Sequence, residues 1–337
     1  MTIIDDWFAP LVSLLLSLAV TWLLQTRFAN LIVDRPNDRS MHTTDIPRTG
    51  GLAINAGVVL GMIAAFTGTG FPFGLVIIAG YVAVLGVSVL DDILSLGAVP
   101  RLAIHLLAAT LLVTELFPVR LMIDSAMFAG LLITVMSVLA ATWFINLYNF
   151  MDGMDGFSSG MAIFGFAVLA IIGFGAGHEA YGMTCLVICA AVAGFLVFNY
   201  PPARIFMGDS GSIVIGYMGA TMMLWGAAAG TVPPWLGILA FSPFIFDASY
   251  TLAKRTIKGD SILSAHRDHF YQRLVLSGVS KKTVLWLEYG LMAACAGTAV
   301  AIAGYGMTVQ LAGCAIWLVV YSGLAIVAER YLRDRIH

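Results

Sequence analysis

Long apolar segments alternate with short polar ones along almost the whole sequence. A transmembrane helix needs about 20 mainly apolar residues, and eleven segments of this chain approach or reach that length. The predicted spans are 7–27, 51–67, 73–90, 102–117, 127–147, 160–176, 180–198, 211–229, 235–253, 284–304 and 309–328. Their ends are placed to within several residues, and ten spans are the alternative because segments such as 102–117 are short. The pattern predicts an all-α polytopic membrane bundle that forms a single domain over residues 1–337.

The composition indicates the same class of protein. Hydrophobic residues make up 60% of the chain and charged residues 11%, with a mean hydropathy of +0.93, whereas soluble domains contain roughly 25% charged residues. The first apolar run, Trp7 to Leu24, is long enough to span and lacks an A-x-A-like cleavage site, so it predicts a retained helix and not a signal peptide. A net charge of −2 gives no indication of a nucleic-acid partner.

The basic residues distinguish the two sides of the membrane. If the predicted spans alternate in direction, all Lys and Arg residues except Arg120 fall on one side. Because cytoplasmic loops are enriched in Lys and Arg, we expect the N-terminus outside and the C-terminus in the cytoplasm. The expected cytoplasmic segments are 28–50, 91–101, 148–159, 199–210, 254–283 and the tail 329–337.

Polar motifs collect in these expected cytoplasmic segments. They are R-P-N-D-R-S-M-H (35–42) followed by P-R-T-G-G (47–51), the pair Asp91-Asp92, N-L-Y-N-F-M-D-G-M-D-G (146–156), F-M-G-D-S-G-S (206–212) and H-R-D-H-F-Y-Q-R-L (266–274). The connections on the other side are short and rich in Gly, Pro and Phe. The chemistry is therefore expected in a cleft on the cytoplasmic face.

The 146–156 stretch offers four oxygen-bearing side chains within a short length of chain: Asn146, Asn149, Asp152 and Asp155. The two asparagines are one turn apart on a predicted helix. Such oxygen donors suit a hard divalent cation and a phosphate-bearing substrate, whereas Cys and His would indicate zinc. The alternative is that each Asp-Gly pair only starts a turn, which leaves the asparagines without an explanation.

Asp91 and Asp92 follow an apolar run directly. Carboxylates at membrane depth are costly and need a partner or a function. The alternative is a solvated helix terminus in which Asp92 is an N-cap.

The 206–212 segment has the features of a phosphate-binding turn. Gly208 and Gly211 allow the backbone to approach a ligand, and Asp209 offers a carboxylate to Mg²⁺. We expect Ser210 or Ser212 to cap the following helix, whose first amides favour an anion.

His266, Arg267 and His269 form a cationic, donor-rich group suited to a pyrophosphate or a sugar hydroxyl. The alternative is a basic loop attracted to anionic lipid, which suits the basic residues of 254–258 better. Asp247, inside a predicted span, is expected to face the cleft or a helix partner. His105 lies one turn beyond Arg101 and is expected to line the same opening.

These motifs, in this order from about Arg35 to Leu274, resemble the polyprenyl-phosphate N-acetylhexosamine-1-phosphate transferases. That family includes the initiating enzymes of O-antigen, enterobacterial common antigen and teichoic acid synthesis and the phospho-N-acetylmuramoyl-pentapeptide transferase of peptidoglycan. The resemblance implies an Mg²⁺-dependent enzyme of the bacterial inner membrane, with Mn²⁺ as an alternative metal. A phosphate oxygen of undecaprenyl phosphate would attack the β-phosphorus of a UDP-N-acetylhexosamine and release UMP. The resemblance leaves a homodimer open.

The same resemblance implies roles for individual residues. Asp209 is expected to be the main metal ligand, with Asp152 as a second one. Asp91 is the candidate base or orienter of the lipid phosphate, and Phe206 is expected to stack on uracil. The expected catalytic group is Asp91, Asp92, Asp152, Asp155 and His266, and the expected substrate-binding group is Asn146, Asn149, Phe206, Arg48, Arg101, Arg267 and His269.

The sequence departs from the family pattern at two places. Arg48 and Arg101 stand where family members often carry Lys, which keeps the charge and changes its geometry. The H-R-x-H-x-Y-Q pattern looks closer to the O-antigen enzymes than to the His-rich triplet of the peptidoglycan enzyme. UDP-GlcNAc, UDP-FucNAc and UDP-QuiNAc stay open as substrates. The rival class is a transporter or flippase of lipid-linked or nucleotide sugars, which usually has charges near the bilayer midplane.

Overall fold

The computed structural model describes residues 3–36, 44–117, 125–260 and 266–336. The R-P-N-D-R-S-M-H motif is therefore covered only at Arg35 and Pro36. Arg120, the basic residue predicted on the opposite side, also lies outside the described residues.

The described chain is built almost entirely from helices. One two-stranded antiparallel sheet pairs Val33 with Pro47 and Asp34 with Ile46 between the first two helices. The elements in order are α1 (Ile3–Arg27), β1 (Val33–Asp34), β2 (Ile46–Pro47), α2 (Gly50–Phe66), α3 (Leu75–Leu94), α4 (Ala98–Leu116), α5 (Ser125–Phe150), α6 (Phe157–Gly175), α7 (Glu179–Asn199), α8 (Asp209–Ala228), α9 (Pro234–Ala240), α10 (Ser242–Lys258), α11 (Phe270–Leu276), α12 (Lys281–Ala303) and α13 (Met307–Ile336).

The prediction of a polytopic helical membrane protein is confirmed. Within the described ranges, nine helices are long and apolar enough to cross a membrane, and α9 with α10 makes a tenth span bent by 83°. The apolar helix α2 has 17 residues and corresponds to the predicted span 51–67. The bend divides the span predicted over 235–253 into two helices. It coincides with Pro243 in the first turn of α10, a position where the missing proline N–H costs no intrahelical bond.

Three helices form the centre of the bundle. In the most apolar part of α6, α7 and α8, 72%, 67% and 72% of the residues are buried within the protein. In α12 and α13 the corresponding values are 22% and 17%. Large apolar side chains on the outer helices are exposed, for example Leu75 and Val319. Such apolar outer surfaces suit contact with lipid tails, which cannot solvate polar groups. The polar groups described next lie on the central helices and at the ends of neighbouring ones.

Candidate active site

The P-R-T-G-G segment pairs through its backbone with the F-M-G-D-S-G-S segment. The Phe206 N–H donates to the Pro47 carbonyl at 2.8 Å, and the Gly50 N–H donates back to the Phe206 carbonyl at 3.0 Å. The Gly51 N–H donates to the carbonyl of the residue after Phe206 at 2.7 Å. A Cβ at Gly51 would lie 2.1 Å from the backbone nitrogen of Gly211, so α2 and α8 cross here at glycine-only separation. The two motifs therefore form one structural unit, in which the Phe206 side chain is half-buried.

Asp92 lies in the last turn of α3 and caps the first turn of α8. Its Oδ1 and Oδ2 accept the backbone amides of Asp209 and Ser210, each at 2.9 Å. A carboxylate is favoured at this position because the first amides of a helix lack intrahelical acceptors and carry the positive end of its dipole. The expected cap by Ser210 or Ser212 is wrong, since the Ser212 hydroxyl donates instead to the Gly208 carbonyl at 3.1 Å.

Three carboxylates and two guanidinium groups meet beside this cap. We call them the carboxylate cluster, and its members are Asp91, Asp92, Asp209, Arg48 and Arg101. Arg101 Nη1 lies 2.5 Å from Asp91 Oδ2 and 2.8 Å from Asp209 Oδ2. Arg48 Nη2 lies 2.7 Å from Asp92 Oδ1 and 3.5 Å from Asp209 Oδ1. The side chains of Asp91, Asp92 and Asp209 are only 7%, 1% and 14% exposed, so pairing offsets the cost of removing them from water. Counted by formal charge, three carboxylates and two guanidinium groups leave one negative charge in excess, which a cation or a proton can offset.

Ion pairing engages the groups expected to do chemistry. Both oxygens of Asp91 have partners, because Oδ1 accepts the Leu96 amide at 2.6 Å and Oδ2 faces Arg101. Burial acts to lower the pKa of Arg48, but the carboxylates of Asp92 and Asp209 outweigh it and raise that pKa. In this arrangement the carboxylates and guanidinium groups of the cluster pair with one another. The roles of Asp91 as base or orienter and of the arginines toward substrate stay predictions.

The two asparagines of the 146–156 stretch point to different partners. Asn149 Nδ2 donates to Asp209 Oδ1 at 3.1 Å and to the Ser212 hydroxyl at 3.0 Å, so it belongs beside the carboxylate cluster. Asn146 Oδ1 instead lies 3.2 Å from Nδ1 of His105. His105, which was expected to line the opening near Arg101, therefore contacts Asn146 one helical turn away from the cluster.

The Asp-Gly turns after α5 hold their own loop and the next motif together. Burial raises the pKa of Asp152 to about 7. Asp155 Oδ2 accepts the Ala203 amide at 3.1 Å and so anchors the turn before the F-M-G-D-S-G-S segment. Asn199 Oδ1 accepts the Gly156 amide at 3.0 Å. The sequence did not single out Asn199, whose only signal is a polar residue at the end of an apolar helix. The catalytic assignments of Asp152 and Asp155 stay predictions.

Asp247 organises the segment that carries the H-R-D-H motif. Its Oδ1 and Oδ2 accept the Phe270 amide at 3.1 and 3.0 Å, at the start of α11. Nδ1 of His269, a residue only 3% exposed, lies 3.3 Å from Asp247 Oδ1. Of the two expected roles for Asp247, a helix partner is the one the geometry shows. His266 packs beside His269 with ring centroids 5.0 Å apart, and Arg267 is half-buried between them in sequence.

Burial, together with His269 and Arg255, lowers the pKa of His266. Arg255 forms an ion pair with Asp268. Lys254 pairs with Glu329 at 2.5 Å. These two basic residues of 254–258 therefore have protein partners, in addition to any attraction to lipid.

Helix α11 brings this segment against the third motif. The fully buried Tyr271 directs its hydroxyl at Gly153, where a Cβ would lie 2.3 Å away. A Cβ there would also lie 3.2 Å from the Gln272 amide nitrogen. The first Asp-Gly turn therefore needs glycine because α11 packs directly against it. The H-R-D-H segment is thus connected to the carboxylate cluster by way of the 146–156 stretch.

A second group of charges fixes α11 from the other side. We call it the α13 anchor: Glu329 of α13 with Arg273 of α11 and Lys254 of α10. Arg273 Nη1 and Nη2 lie 2.7 and 3.0 Å from the two Glu329 oxygens, a bidentate pairing. Side-chain exposures of 20% for Arg273 and 21% for Glu329 place the pair at the protein surface but not fully in solvent. The sequence shows nothing to link these residues beyond their opposite charges.

The donor chemistry of the carboxylate cluster suits Mg²⁺, which prefers carboxylate oxygens. Among the residues the structure describes, no three His, Cys, Asp or Glu side chains are arranged to hold a metal ion. The carboxylates of the cluster are directed at guanidinium groups, which neutralise all but one of the negative charges. The residues therefore fit Mg²⁺ by ligand type, and a guanidinium group has to leave Asp209 before that carboxylate can bind a metal ion.

Known proteins match most of the chain. A model of glycosyl transferase family 4 matches residues 74–227, from the start of α3 to the last turn of α8. A probable undecaprenyl-phosphate N-acetylglucosaminyl 1-phosphate transferase of Bacillus subtilis (strain 168) is 29% identical over 290 residues, which are 83% of this chain and 80% of that protein. A decaprenyl-phosphate N-acetylglucosaminephosphotransferase of Mycobacterium tuberculosis (strain CDC 1551 / Oshkosh) is 30% identical over 301 residues, with coverages of 75% and 71%. An undecaprenyl-phosphate alpha-N-acetylglucosaminyl 1-phosphate transferase of Yersinia pestis is 24% identical over 268 residues, with coverages of 74% and 71%.

The helical bundle, the ion-paired site and these matches together define a class: multi-pass membrane enzymes that transfer phospho-sugars. The chain belongs to glycosyl transferase family 4, and the relatives it matches are polyprenyl-phosphate N-acetylhexosamine 1-phosphate transferases. The family predicted from the motifs is therefore confirmed.

Proposed function

We propose that the chain transfers an N-acetylhexosamine 1-phosphate group from a UDP-sugar to undecaprenyl phosphate and releases UMP. The lipid-linked sugar pyrophosphate so formed starts an O-antigen or a related cell-envelope polysaccharide. The carboxylate cluster is the observation that carries this proposal, because it places two arginines, which can bind phosphate groups, among three buried carboxylates at one end of the bundle. The names of the Bacillus and Yersinia relatives, which refer to undecaprenyl phosphate and N-acetylglucosaminyl 1-phosphate, support it.

Both proposed substrates are anions, so their approach needs positive charge and correct positioning more than a strong nucleophile. Arg48 and Arg101 are the proposed phosphate ligands, since a guanidinium group matches two phosphate oxygens at once. A lipid phosphate oxygen forms a bond to the β-phosphorus, and the bridging oxygen leaves with UMP and keeps the bonding electron pair. A phosphate monoester already carries at least one ionised oxygen at pH 7, so the proposed role of Asp91 is to orient the lipid phosphate more than to remove a proton from it.

Mg²⁺ is the proposed cofactor, with Mn²⁺ as the alternative. Asp209 and Asp152 are the proposed ligands, and Asn149 orients Asp209 by donating to its Oδ1. The bound ion supplies neutralisation of pyrophosphate charge. Chelation with EDTA is expected to abolish turnover, and added Mg²⁺ to restore it. Full turnover after chelation and dialysis would remove the metal from the proposal.

The cluster is proposed to face the cytoplasm of a bacterium, with the N-terminus outside. The distribution of basic residues supports this orientation. Fusions of a fluorescent protein and of alkaline phosphatase to the C-terminus test it in cells. Fluorescence without phosphatase activity is expected, and the reverse result would contradict the orientation.

The purified full chain, Mg²⁺ and undecaprenyl phosphate, combined with UDP-GlcNAc, UDP-FucNAc or UDP-QuiNAc in turn, test the reaction and its donor. UMP is expected with one of these donors and only when the lipid is present. Release of UDP would mean that the sugar moves without its phosphate and would contradict the proposal. Movement of an intact nucleotide sugar or lipid-linked sugar across vesicles without product would favour the transporter class.

A further inference from the structure

His105 and Asn146 form a buried polar pair just below the carboxylate cluster. His105 is 2% exposed and lies on α4 one turn from Arg101. The Asn146 amide nitrogen donates to the Thr142 carbonyl at 2.7 Å, which turns its oxygen toward Nδ1 of His105 at 3.2 Å. Because an amide oxygen only accepts, this contact requires the proton on Nδ1, and in the neutral imidazole Nε2 then carries a lone pair.

Nε2 of His105 is buried and has no hydrogen-bond partner among the described residues. A buried polar atom without a partner is destabilising, and such atoms are rare in folded proteins. Arg101 lies one turn before His105 on α4, and its Nη1 is 2.5 Å from Asp91 Oδ2. The unfilled acceptor therefore sits next to the groups proposed to receive phosphate, and not in an isolated part of the core.

The type of hydrogen bond restricts the ligand. A lone pair accepts from an N–H or O–H group and repels a fully ionised oxygen. A phosphate monoester has a second pKa near 6, so part of it carries a P–O–H group near neutral pH. The pyrophosphate of a nucleotide sugar is a diester and carries no such proton at that pH. Of the phosphate groups in the two substrates, only that of the lipid can therefore donate a hydrogen bond to this nitrogen.

We propose that His105, held by Asn146, binds the phosphate monoester end of the polyprenyl phosphate, with Nε2 accepting a hydrogen bond from its P–O–H group. This inference rests on the proposed function and adds a residue that separates the two phosphate-bearing substrates.

Two variants at one position test the proposal. His105→Leu keeps an apolar side chain of similar size and removes both nitrogens, whereas His105→Gln retains an acceptor oxygen. His105→Leu is expected to weaken binding of undecaprenyl phosphate about 10-fold, the value of one hydrogen bond to a charged ligand. It should leave the KM of the UDP-sugar within about 2-fold, and His105→Gln should recover most of the loss. Thr114→Val, further along α4 with a hydroxyl bonded to its own helix, is the matched control.

Binding of the lipid phosphate is measured on the purified full chain without UDP-sugar, so a wild-type protein that binds but does not turn over refutes the proposed function and not this inference. Equal changes in both substrates, or unchanged lipid binding in His105→Leu, would overturn the inference. Thermal unfolding of each variant shows whether the fold is kept. Inorganic phosphate is titrated in parallel, and tight binding that His105→Leu loses would assign the site to free phosphate and overturn the lipid assignment.

Discussion

The carboxylate cluster and the α13 anchor are both groups of acidic and basic side chains at one end of the bundle, yet the balance of their formal charges is opposite. The cluster joins three carboxylates to two arginines. The anchor joins one carboxylate to an arginine and a lysine. The Asp92 side chain is 1% exposed, whereas the Glu329 side chain is 21% exposed. The cluster, which has the formal excess of negative charge, is therefore more deeply buried than the anchor, which has the excess of positive charge.

This difference indicates which group performs chemistry. A surplus of positive charge at a partly exposed site is solvated by water or lipid phosphates at little cost. A surplus of buried negative charge is costly and is relieved by a cation or a proton. The cluster therefore suits the cation binding proposed above, and the anchor holds α11 against α10 and α13. Substitutions in the cluster should mainly change turnover, and substitutions in the anchor mainly stability.

The largest expected effect is at Asp209. Asp209→Asn removes the excess charge and a proposed metal ligand while it keeps the size of the side chain. We expect turnover to fall by about 100-fold or more, since electrostatic groups at reacting centres typically contribute that much. Thermal stability should stay equal or rise, because a costly buried charge is gone. Turnover within about 2-fold of wild type would refute the proposed role of Asp209.

Arg101 is the second test, because its Nη1 contacts Asp91 and Asp209 together. Arg101→Lys keeps the charge, but an ammonium group lacks the planar fork of a guanidinium. We expect turnover to fall about 10-fold, with the KM values raised more than kcat is lowered. Steady-state kinetics with both substrates varied will measure this. A variant with wild-type KM values would show that Arg101 only balances charge.

Asp92 differs from its neighbours in the cluster, since it caps α8 through both oxygens. Asp92→Asn leaves a single acceptor oxygen for the two backbone amides that the carboxylate caps. It also removes the negative charge that pairs with Arg48. We expect the free energy of unfolding to fall by about 2 kcal/mol, the value of charged hydrogen bonds at a helix cap. Denaturant unfolding in detergent measures it. The cap assignment fails if the unfolding midpoint of Asp92→Asn matches that of Asp209→Asn.

The smallest effect is expected at the anchor. Glu329→Gln should lower the free energy of unfolding by about 1 kcal/mol and change turnover by less than about 3-fold, as for partly exposed ion pairs. The reversed pair Arg273→Glu with Glu329→Arg should recover part of the stability that Arg273→Glu alone loses. Without such recovery, the contact between these residues contributes nothing measurable. A drop in turnover as large as that of Asp209→Asn would erase the contrast between the two groups.

The helices could be predicted from the sequence, because each apolar run must bury its backbone polar groups within itself to cross a membrane. The break between α9 and α10 was missed, since an apolar run reads the same whether it is straight or bent. The motifs named nearly all residues of the carboxylate cluster. Their pairing was not predictable, because Arg48 and Asp92 are 44 residues apart and meet only through the packing of α2, α3 and α8.

The α13 anchor shows the other limit. Glu329 and Arg273 are ordinary charged residues 56 positions apart. Their pairing depends on where the end of α13 lies relative to α11, which hydropathy does not encode. Asp247 was recognised as unusual from its depth in an apolar span, whereas its capping of α11 depends on the position of a loop.

The capping of α8 by Asp92 has a consequence for building hybrid proteins from this family. The acceptor lies on α3, and the amides it holds begin α8, with the metal-binding candidate Asp209 as the first capped residue. If α8 is taken from a relative while α3 is kept, the Asp92 carboxylate on α3 has to cap the first turn of a helix from another protein. The positions of the carboxylate and of the amides would then no longer be matched to each other. We therefore regard α3, the P-R-T-G-G segment and the start of α8 as one interchangeable module, although the chain writes them as three separate stretches.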